Sequence, residues 1–288
     1  MKEESAGGGM VHEHSRDGNV ELDGRPAVVS SHHPLAMVYG GGGVFGVAYT
    51  AGVAAGLTEA GIPVADAPAL GTSAGAWTAA AFALGLDYED YGRFDSPSVP
   101  NLRPGVLVNL ARKLFGDARH PLVSASAVHL PTARRHLLDG GKYPLADLVA
   151  ASSAVPGLFP PHRIGGRLYV DGGMWSATSV DAAAEADRVI VVAPLAGTVL
   201  GPMGRTAGFL LSRELQRWRR RHPDADIELI HPDDEMARVA GTNPLGIFDP
   251  VRAREVYPLA FEQGVQSGRR LVSRRGRGRP RGRSGPAA

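Results

Sequence analysis

Cysteine is absent from this chain of 288 residues, so the chain can form no disulfide, thiol nucleophile or cysteine-based zinc site. Long apolar runs are missing too, because segments such as 74–86 and 189–195 are too short or too interrupted by charge to span a bilayer. The N-terminus also lacks the apolar core that a secretory signal needs. We therefore expect a cytoplasmic protein whose contact with membranes is at most peripheral.

The charge is distributed unevenly along the chain. The net charge is +2 at pH 7, yet residues 269–288 contain eight arginines and no acid, which leaves −6 on residues 1–268. Residues 1–33 are rich in Gly, Ser, His and charge and have no apolar period. We predict a disordered leader at 1–33, one folded domain at 34–268 and a disordered Arg/Gly/Pro tail at 269–288. The tail suits an anionic membrane, and nucleic-acid binding is the less favoured use of the same charge.

A G-x-S-x-G sequence lies at residues 71–75, directly before the helix-forming run 76–84. A serine between two glycines, where a strand turns into a helix, is typical of a nucleophile elbow. Ser73 would then lie at a helix N-terminus, where the helix dipole and free N–H groups stabilise negative charge. Alone, the pattern also fits a loop whose serine caps a helix.

A glycine-rich loop precedes this motif and follows an apolar run that we predict to be a buried strand. The loop contains G-x-G-x-x-G at Gly41, Gly43 and Gly46, a pattern that also occurs in dinucleotide-binding folds. That fingerprint requires an acid at the end of a second strand, and neither Glu59 nor Asp66 is so placed. We favour a loop whose backbone N–H groups point at a carbonyl oxygen that becomes an oxyanion.

An aspartate followed by two glycines, at residues 171–173, ends a short strand predicted at 167–170. Alone, Asp-Gly is a common hairpin turn. A serine hydroxyl needs a nearby base to become a nucleophile at neutral pH, and Asp171 can serve as that base for Ser73.

Strands and helices are predicted to alternate along the chain, with further buried strands at 189–193 and 227–230 and a helix at 207–221. This alternation predicts an α/β fold with a mainly parallel sheet. The site should then lie at the carboxyl ends of the strands.

Taken together, the three motifs resemble those of the patatin-like phospholipases in type and in order. They are a glycine-rich oxyanion loop at 40–46, G-x-S-x-G at 71–75 and D-G-G at 171–173, and the run A-S-S-A-V-P-G-L-F-P-P at 151–161 agrees as well. The resemblance covers residues 35–268. It implies a three-layer α/β/α fold with a mainly parallel central sheet, and hydrolysis of the acyl esters of lipids.

The resemblance also implies a Ser-Asp dyad that needs no catalytic histidine, metal or cofactor. Carried over to this chain, Ser73 is the nucleophile, Asp171 is the base and three backbone amides form the oxyanion hole: those of Gly41, Gly42 and Gly43. The chain would be a phospholipase A or a carboxylesterase with a lipid or ester substrate. Because a free carboxylate with a pKa near ~4 is a weak base, we expect partial burial to raise the pKa of Asp171.

Two features depart from the family pattern. Where the loop commonly reads G-G-G-x-R/K-G, this chain has Phe45 at the cationic position, which could indicate a different acyl pocket, a weaker preference for charged head groups or reduced activity. The segment between residues 115 and 145 shows no clear strand, although the family has one there.

Two other functions stay open at the level of the sequence. One is a Ser-His-Asp hydrolase in which His222 or His231 joins Ser73 and Asp171, His231 being better placed at a predicted strand end. The other is a lipid- or nucleotide-binding module that keeps the fold without catalysis.

Two helical segments could contact lipid. Residues 106–114 carry apolar side chains at helical spacing and predict a lid or a helix that covers the core. In the run 217–221, Trp218 stands among four arginines and could bind phosphate or head groups. The more common arrangement for such a run is a helix face in water.

Overall fold

A computed structural model of the chain describes residues 32–92 and 96–277. Most of the predicted leader and the end of the predicted tail thus lie outside the described residues. His33 forms a parallel bridge with Ala186, so the last residue of the predicted leader joins the sheet. The final helix extends to Arg277, beyond the domain boundary predicted at residue 268.

Strands and helices alternate through most of the described chain. Their order is β1 (Ala36–Tyr39), α1 (Gly43–Glu59), β2 (Ala69–Thr72), α2 (Ala74–Ala83), α3 (Tyr88–Gly92), α4 (Val106–Phe115), β3 (Val123–Leu130), β4 (Arg134–Asp139), α5 (Leu145–Ser152), β5 (His162–Ile164), β6 (Arg167–Asp171), β7 (Arg188–Val192), α6 (Pro202–Arg221), β8 (Asp226–Ile230), α7 (Asp234–Ala240) and α8 (Pro250–Arg277).

All eight strands form one sheet. Strands β8, β7, β1, β2 and β3 run parallel in that order, as the alternation of strands and helices predicted. Strands β4, β5 and β6 are antiparallel to their partners. The sheet is therefore mainly parallel, with an antiparallel part beside β3.

Helices cover both faces of the sheet, which gives a three-layer α/β/α fold. In β1, the side chains of Met37 and Tyr39 join a core with α1, α2, α4, α5 and α8. Ala36 and Val38 point to the opposite face, where they join a second core that includes Trp218 of α6. Both sides of β1 are buried because apolar residues occupy every position of the strand.

Strand β3 is shared between three neighbours. One edge pairs with β4 over residues 124–129, while the other pairs with β2 over residues 123–126 and with β6 over residues 127–130. Because β2 is parallel to β3 and β6 is antiparallel, β2 and β6 approach each other end to end along this edge. Their last residues, Thr72 and Asp171, are therefore brought together.

This strand corrects the expectation that residues 115–145 lack a clear strand. The sequence of β3, V-S-A-S-A-V-H-L, alternates small, polar and apolar residues and so contains no continuous apolar run. Its polar Ser126 is nevertheless fully buried, because the hydroxyl has a partner inside the fold: Ser179 Oγ donates to Ser126 Oγ over 2.9 Å. Pairing on both edges, rather than side-chain hydropathy, makes this segment a strand.

No helix among the described residues is long and apolar enough to cross a bilayer. The long helices α1 and α8 instead pack closely against each other through glycines. A Cβ on Gly52 would lie 2.7 Å from the Tyr257 carbonyl oxygen, and one on Gly56 would overlap the Phe261 carbonyl oxygen. Small residues thus let the two backbones approach.

We expect Gly56→Ala to destabilise the fold, although alanine is the better helix former. The added methyl group meets the backbone of α8, which cannot rotate away, and such overpacking costs about 1–3 kcal/mol. The matched control is Gly208→Ala in α6, where the atom nearest to the added Cβ would be 3.9 Å away. There the higher helix propensity of alanine should raise the free energy of unfolding by up to about 1 kcal/mol. Urea unfolding curves measure both, and equal effects would contradict the packing argument.

Candidate active site

Ser73 lies at the turn between β2 and α2. Its backbone has φ 51° and ψ −118°, a conformation that L-residues rarely adopt. A Cβ on Gly71 would overlap Ala76, and one on Gly75 would overlap the carbonyl oxygen of Tyr39. Both glycines are required for this turn to pack on the sheet, as expected for a nucleophile elbow.

Two serines of α5 and its C-terminus support the elbow. The backbone N–H of Ser73 donates to Ser152 Oγ over 2.8 Å, and Ser152 Oγ donates to the Ser126 carbonyl oxygen over 2.7 Å. Trp77 Nε1 donates to Ser153 Oγ over 3.0 Å. In the sequence, the run 151–161 was notable only for its resemblance to a family. The contacts give Ser152 and Ser153 a positioning role that no local pattern indicated.

Asp171 ends β6 and is 4% exposed. Its Oδ1 accepts a hydrogen bond from the Gly173 N–H over 2.6 Å, and its own N–H donates to the Ala154 carbonyl oxygen over 3.0 Å. A Cβ on Gly172 would overlap the carbonyl oxygen of Ser126. The D-G-G sequence is thus the start of a tight 3₁₀ turn against β3, and not a hairpin turn.

The register of β3 places Ser73 beside Asp171. Thr72 pairs with Ser126, and Asp171 pairs with the next residue, Ala127. Since β2 and β6 share one edge of β3, the residue after Thr72 meets the end of β6. Two side chains that are far apart in the sequence are brought together by this pairing.

Burial raises the pKa of Asp171 to about 6, and the hydrogen bonds from the Ser73 side chain and the Gly173 N–H act in the opposite direction. Asp171 Oδ2 is buried and accepts no hydrogen bond of standard geometry from the described residues. The Ser73 hydroxyl is thus a close neighbour of the carboxyl group. A buried carboxylate oxygen remains available to accept a proton.

The glycine loop runs past the elbow into α1. A Cβ on Gly41 would lie 3.2 Å from the Ser73 Cβ, and one on Gly46 would lie 3.1 Å from the Ala74 Cβ. Because glycine leaves room for this close approach, the N-termini of α1 and α2 meet at the site. Neither helix has an acid in its first turn, so both dipoles favour negative charge there.

The three glycines predicted to form an oxyanion hole are not equivalent. The Gly41 N–H already donates to the Ala177 carbonyl oxygen over 2.8 Å, so this amide is not available to a substrate. Gly42 caps α1 and Gly43 is its first residue, where a helix has no internal acceptor for its N–H groups. This hydrogen bond does not fit the prediction for the Gly41 amide, whereas the amides of Gly42 and Gly43, at the start of α1, stay the predicted oxyanion donors.

A cavity of about 490 Å³ opens beside Ser73. Its walls are mainly apolar and include Leu107, Leu110 and Leu114 of α4, while Glu89 and Arg254 add charged groups. Helix α4 also packs into the core through Ala111 and Phe115, so it covers the core and forms a cavity wall at the same time. Such a space can hold an apolar chain next to the serine.

A second cavity of about 280 Å³ lies on the other side of the glycine loop. Gly41 and Gly173, which adjoin Ser73 and Asp171, line part of it, and the segment 193–196 after β7 and residues of α6 complete it. Ser73 thus lines the first cavity, and chain neighbours of the two predicted catalytic residues line the second.

Phe45, at the position where the family commonly has Arg or Lys, points into the core. It is fully buried, stacks on Tyr49 with ring centroids 6.4 Å apart and is not part of either cavity wall. The departure from the family pattern therefore replaces a cation by a core side chain, and any effect on the acyl pocket is indirect.

The histidines proposed for a triad lie elsewhere. His231 follows β8, which is separated from β2 by β7 and β1, a lateral distance of about 14 Å at the usual strand spacing. Its Nδ1 lies 3.0 Å from the Pro232 carbonyl oxygen. His222 follows α6 and stacks on Trp218. Neither ring can reach Ser73.

A buried polar network lies behind the aspartate turn and was missed from the sequence. Thr178 Oγ1 donates to Glu214 Oε2 of α6 over 3.2 Å. Burial raises the pKa of Glu214, and hydrogen bonds from Ser176 and Thr178 oppose this shift. Nearby, Arg135 binds both carboxylate oxygens of Asp181, over 2.6 and 3.0 Å. The chain segment that follows Asp171 is thus attached to α6.

Within the ranges that the structure covers, no three His, Asp or Glu side chains are grouped closely enough to hold a metal ion. His32 is instead paired with Asp187, with Nε2 and Oδ1 2.7 Å apart.

Comparison with known proteins identifies relatives of the chain. A family model described as patatin-like phospholipase matches residues 37–184, about half of the chain. Over 163 residues the chain is 32% identical to the uncharacterized NTE family proteins Mb2594 of Mycobacterium bovis and Rv2565 of Mycobacterium tuberculosis. These alignments cover 49% of this chain and 26% of each relative, so the chain spans about a quarter of their length. Among solved structures, VipD from Legionella pneumophila is similar with 13% identity and a TM-score of 0.42, over 82% of this chain and 66% of that one.

The raised pKa of Asp171 predicts a specific pH dependence of stability. The unfolded carboxyl group releases its proton near pH 3.8 and the folded one near pH 6, so between these values the folded state binds the proton more tightly. The free energy of unfolding should therefore fall as the pH rises through this window, by up to about 3 kcal/mol.

Asp171→Asn should remove this fall, because asparagine does not titrate and can still accept the hydrogen bond from Gly173. Urea unfolding of both proteins between pH 4 and pH 8 measures the difference. If the free energy of unfolding changed with pH in the same way in both proteins, burial would not raise the pKa of this carboxyl group. Asp139→Asn, at a more exposed carboxylate, is the control and should follow the wild type.

Proposed function

Because the chain belongs to the patatin-like phospholipase family, we propose that it is a lipid acyl hydrolase in which Ser73 is the nucleophile and Asp171 is the general base. The observation that carries this proposal is the end-to-end meeting of β2 and β6, which places a strained serine beside a buried carboxyl group. The apolar cavity beside Ser73 supports an acyl chain as the group bound there.

The first half of the reaction forms an acyl-enzyme. Ser73 Oγ attacks the ester carbonyl carbon while its proton passes to the Asp171 carboxylate, and the carbonyl π electrons move to the oxygen. The resulting oxyanion accepts hydrogen bonds from the N–H groups of Gly42 and Gly43, assisted by the dipoles of α1 and α2. The intermediate then collapses: the bond to the alkoxy oxygen breaks, and this oxygen leaves as an alcohol with the proton held by Asp171.

The second half repeats the same steps with water. Asp171 takes a proton from water, whose oxygen attacks the acyl-enzyme carbonyl carbon to form a second oxyanion. Collapse of this intermediate breaks the bond to Ser73 Oγ, which recovers its proton from Asp171. A carboxylic acid is released, and the enzyme returns to its starting state.

The environment of Asp171 fits the role of a base without a histidine. A pKa of about 6 makes its carboxylate a stronger base than an exposed aspartate, while leaving it ionised at neutral pH. The buried Oδ2 has no competing donor of standard geometry among the described residues.

The strained Ser73 backbone favours catalysis over a silent binding module. A left-handed φ at a serine is energetically costly, and such strain is typical of groups that must be presented to a substrate. Binding alone would not require it.

We expect Ser73→Ala and Asp171→Asn each to lower kcat by about 10³-fold or more on a p-nitrophenyl ester and on a phospholipid. His231→Ala is the matched control and should keep wild-type activity, since His231 follows the edge strand β8, three strands away from β2. A fluorophosphonate should label the wild type and not Ser73→Ala.

The pH profile provides a second readout of the same assignment. The acidic limb of kcat/KM should have an apparent pKa of about 6, because Asp171 must be ionised in the free enzyme. Loss of activity in His231→Ala would point to a triad instead. A wild type that hydrolyses neither substrate and is not labelled would favour the binding module.

The cavity predicts how the enzyme selects acyl chains. Leu110→Trp should fill part of the space and lower kcat/KM for a dodecanoyl ester by about tenfold or more, while a butyryl ester is affected about threefold or less. Leu102→Trp, just outside the cavity and exposed, should change neither. Equal losses on both esters would show that the acyl chain does not enter this cavity.

A further inference from the structure

The outer surface of α6 exposes large apolar side chains near the second cavity. Phe209 is 63% exposed and Leu210 is 50% exposed. Met174 and Trp175, in the turn after Asp171, are 63% and 52% exposed. Leu210, Met174 and Trp175 all line the 280 Å³ cavity, so these side chains surround one opening. Exposed aromatic and aliphatic groups that cluster in this way mark an interaction surface.

Arginines flank the apolar side chains on the same helix. Arg205, Phe209 and Arg213 follow each other at four-residue spacing and lie on one exposed face. The Arg213 guanidinium carbon lies 5.9 Å from the centre of the Phe209 ring. In the part of the chain that the structure covers, neither arginine forms an ion pair, so both charges are available to a partner.

No acid offsets these charges along the exposed side of α6. The helix contains six arginines and one acid, Glu214, which is buried and accepts a hydrogen bond from Thr178. Although residues 1–268 carry a net charge of −6, this face is therefore locally cationic.

We propose that this face of α6, together with the rim of the second cavity, docks on an anionic phospholipid bilayer. The face is defined by six residues: Met174, Trp175, Arg205, Phe209, Leu210 and Arg213. Apolar side chains would enter the boundary between head groups and acyl chains, and the arginines would bind lipid phosphates. Tryptophan is favoured at this depth because one part of its ring is apolar and its N–H is polar.

Charge complementarity together with the apolar cluster favours a bilayer over a nucleic acid. A nucleic-acid duplex would engage the arginines through its phosphates and leave Phe209 and Leu210 in water. A bilayer buries both kinds of side chain. The opening beside Trp175 leads to Gly41 and Gly173, which adjoin Ser73 and Asp171. A lipid held at this face would therefore lie close to residues that adjoin the proposed dyad.

The docking surface extends the proposed function but can be tested without it. Full-length protein carrying Ser73→Ala is sedimented with vesicles of phosphatidylcholine alone, or of phosphatidylcholine and phosphatidylglycerol at two to one. We expect tight binding only to the anionic vesicles, weakened strongly at about 0.5 M salt. Phe209→Ser should weaken binding about tenfold, and Arg205→Gln with Arg213→Gln should also weaken it about tenfold or more.

The matched control is Leu102→Ser, because Leu102 is 63% exposed, as Phe209 is, but lies before α4. This variant should bind as the unmodified protein does. The arginines beyond residue 277 are the same in every variant, so equal binding of Phe209→Ser and Leu102→Ser would mean that the tail alone binds lipid. Binding that depends on the arginines but not on Phe209, with DNA competing for the site, would favour a nucleic acid. Either result would overturn the proposal.

Tryptophan fluorescence gives an independent readout. The chain has three tryptophans, of which Trp77 and Trp218 are buried and Trp175 is exposed. Anionic vesicles should therefore shift the emission to shorter wavelength, and Trp175→Phe should abolish this shift. An unchanged shift in Trp175→Phe would place the contact elsewhere. Hydrolysis of a short soluble ester by the otherwise native Phe209→Ser protein should stay at the wild-type level, which separates docking from chemistry.

Discussion

The site depends on the fact that one edge of strand β3 pairs with two different strands. Strand β3 pairs first with β2 and then with β6 along the same side, so a parallel strand and an antiparallel strand end against each other. The two ends carry Ser73 and Asp171. Glycines are needed on both sides of this junction, because Gly71 and Gly75 touch neighbouring backbone at the elbow and Gly172 touches Ser126. The juxtaposition of Ser73 and Asp171 is thus a consequence of strand pairing and of positions where no side chain fits.

The sequence predicted the parts of the fold that have strong local patterns. Continuous apolar runs marked β1 and β7, and the glycines after β1, around Ser73 and after Asp171 marked the turns that carry the site. Strand β3 was not predicted, since its small and polar residues become buried only through partners supplied by other segments. The availability of the Gly41 amide was not predictable either, because its acceptor, Ala177, is distant in the sequence. Local patterns indicate which residues are at a site, whereas hydrogen-bond partners across the fold decide which of their atoms are free.

Helix α6 illustrates the same limit. Its arginine-rich end suggested a solvated or lipid-binding tryptophan, yet Trp218 is fully buried and packs with Leu211 and Leu215 in the core beneath the helix. The three residues lie at helical spacing on one side, so the arginines occupy the other side by necessity. The side chains that face solvent near the site are Phe209 and Leu210, in a stretch where the sequence carries few charges. Because Leu211, Leu215 and Trp218 already form the buried side of the helix, the exposed Phe209 and Leu210 are not needed for the core and are available to a partner.

Helix α6 contacts both the turn after Asp171 and the exposed surface that carries Phe209. On its inner side, α6 holds Glu214, which accepts a hydrogen bond from Thr178, a few residues after Asp171. On its outer side it presents Phe209 between two arginines. A buried carboxyl group at the centre of a network is costly unless its partners stay in place, so the network resists displacement of the turn relative to the helix. A helix held in this way can contact a partner at its outer face while Asp171 keeps its position beside Ser73.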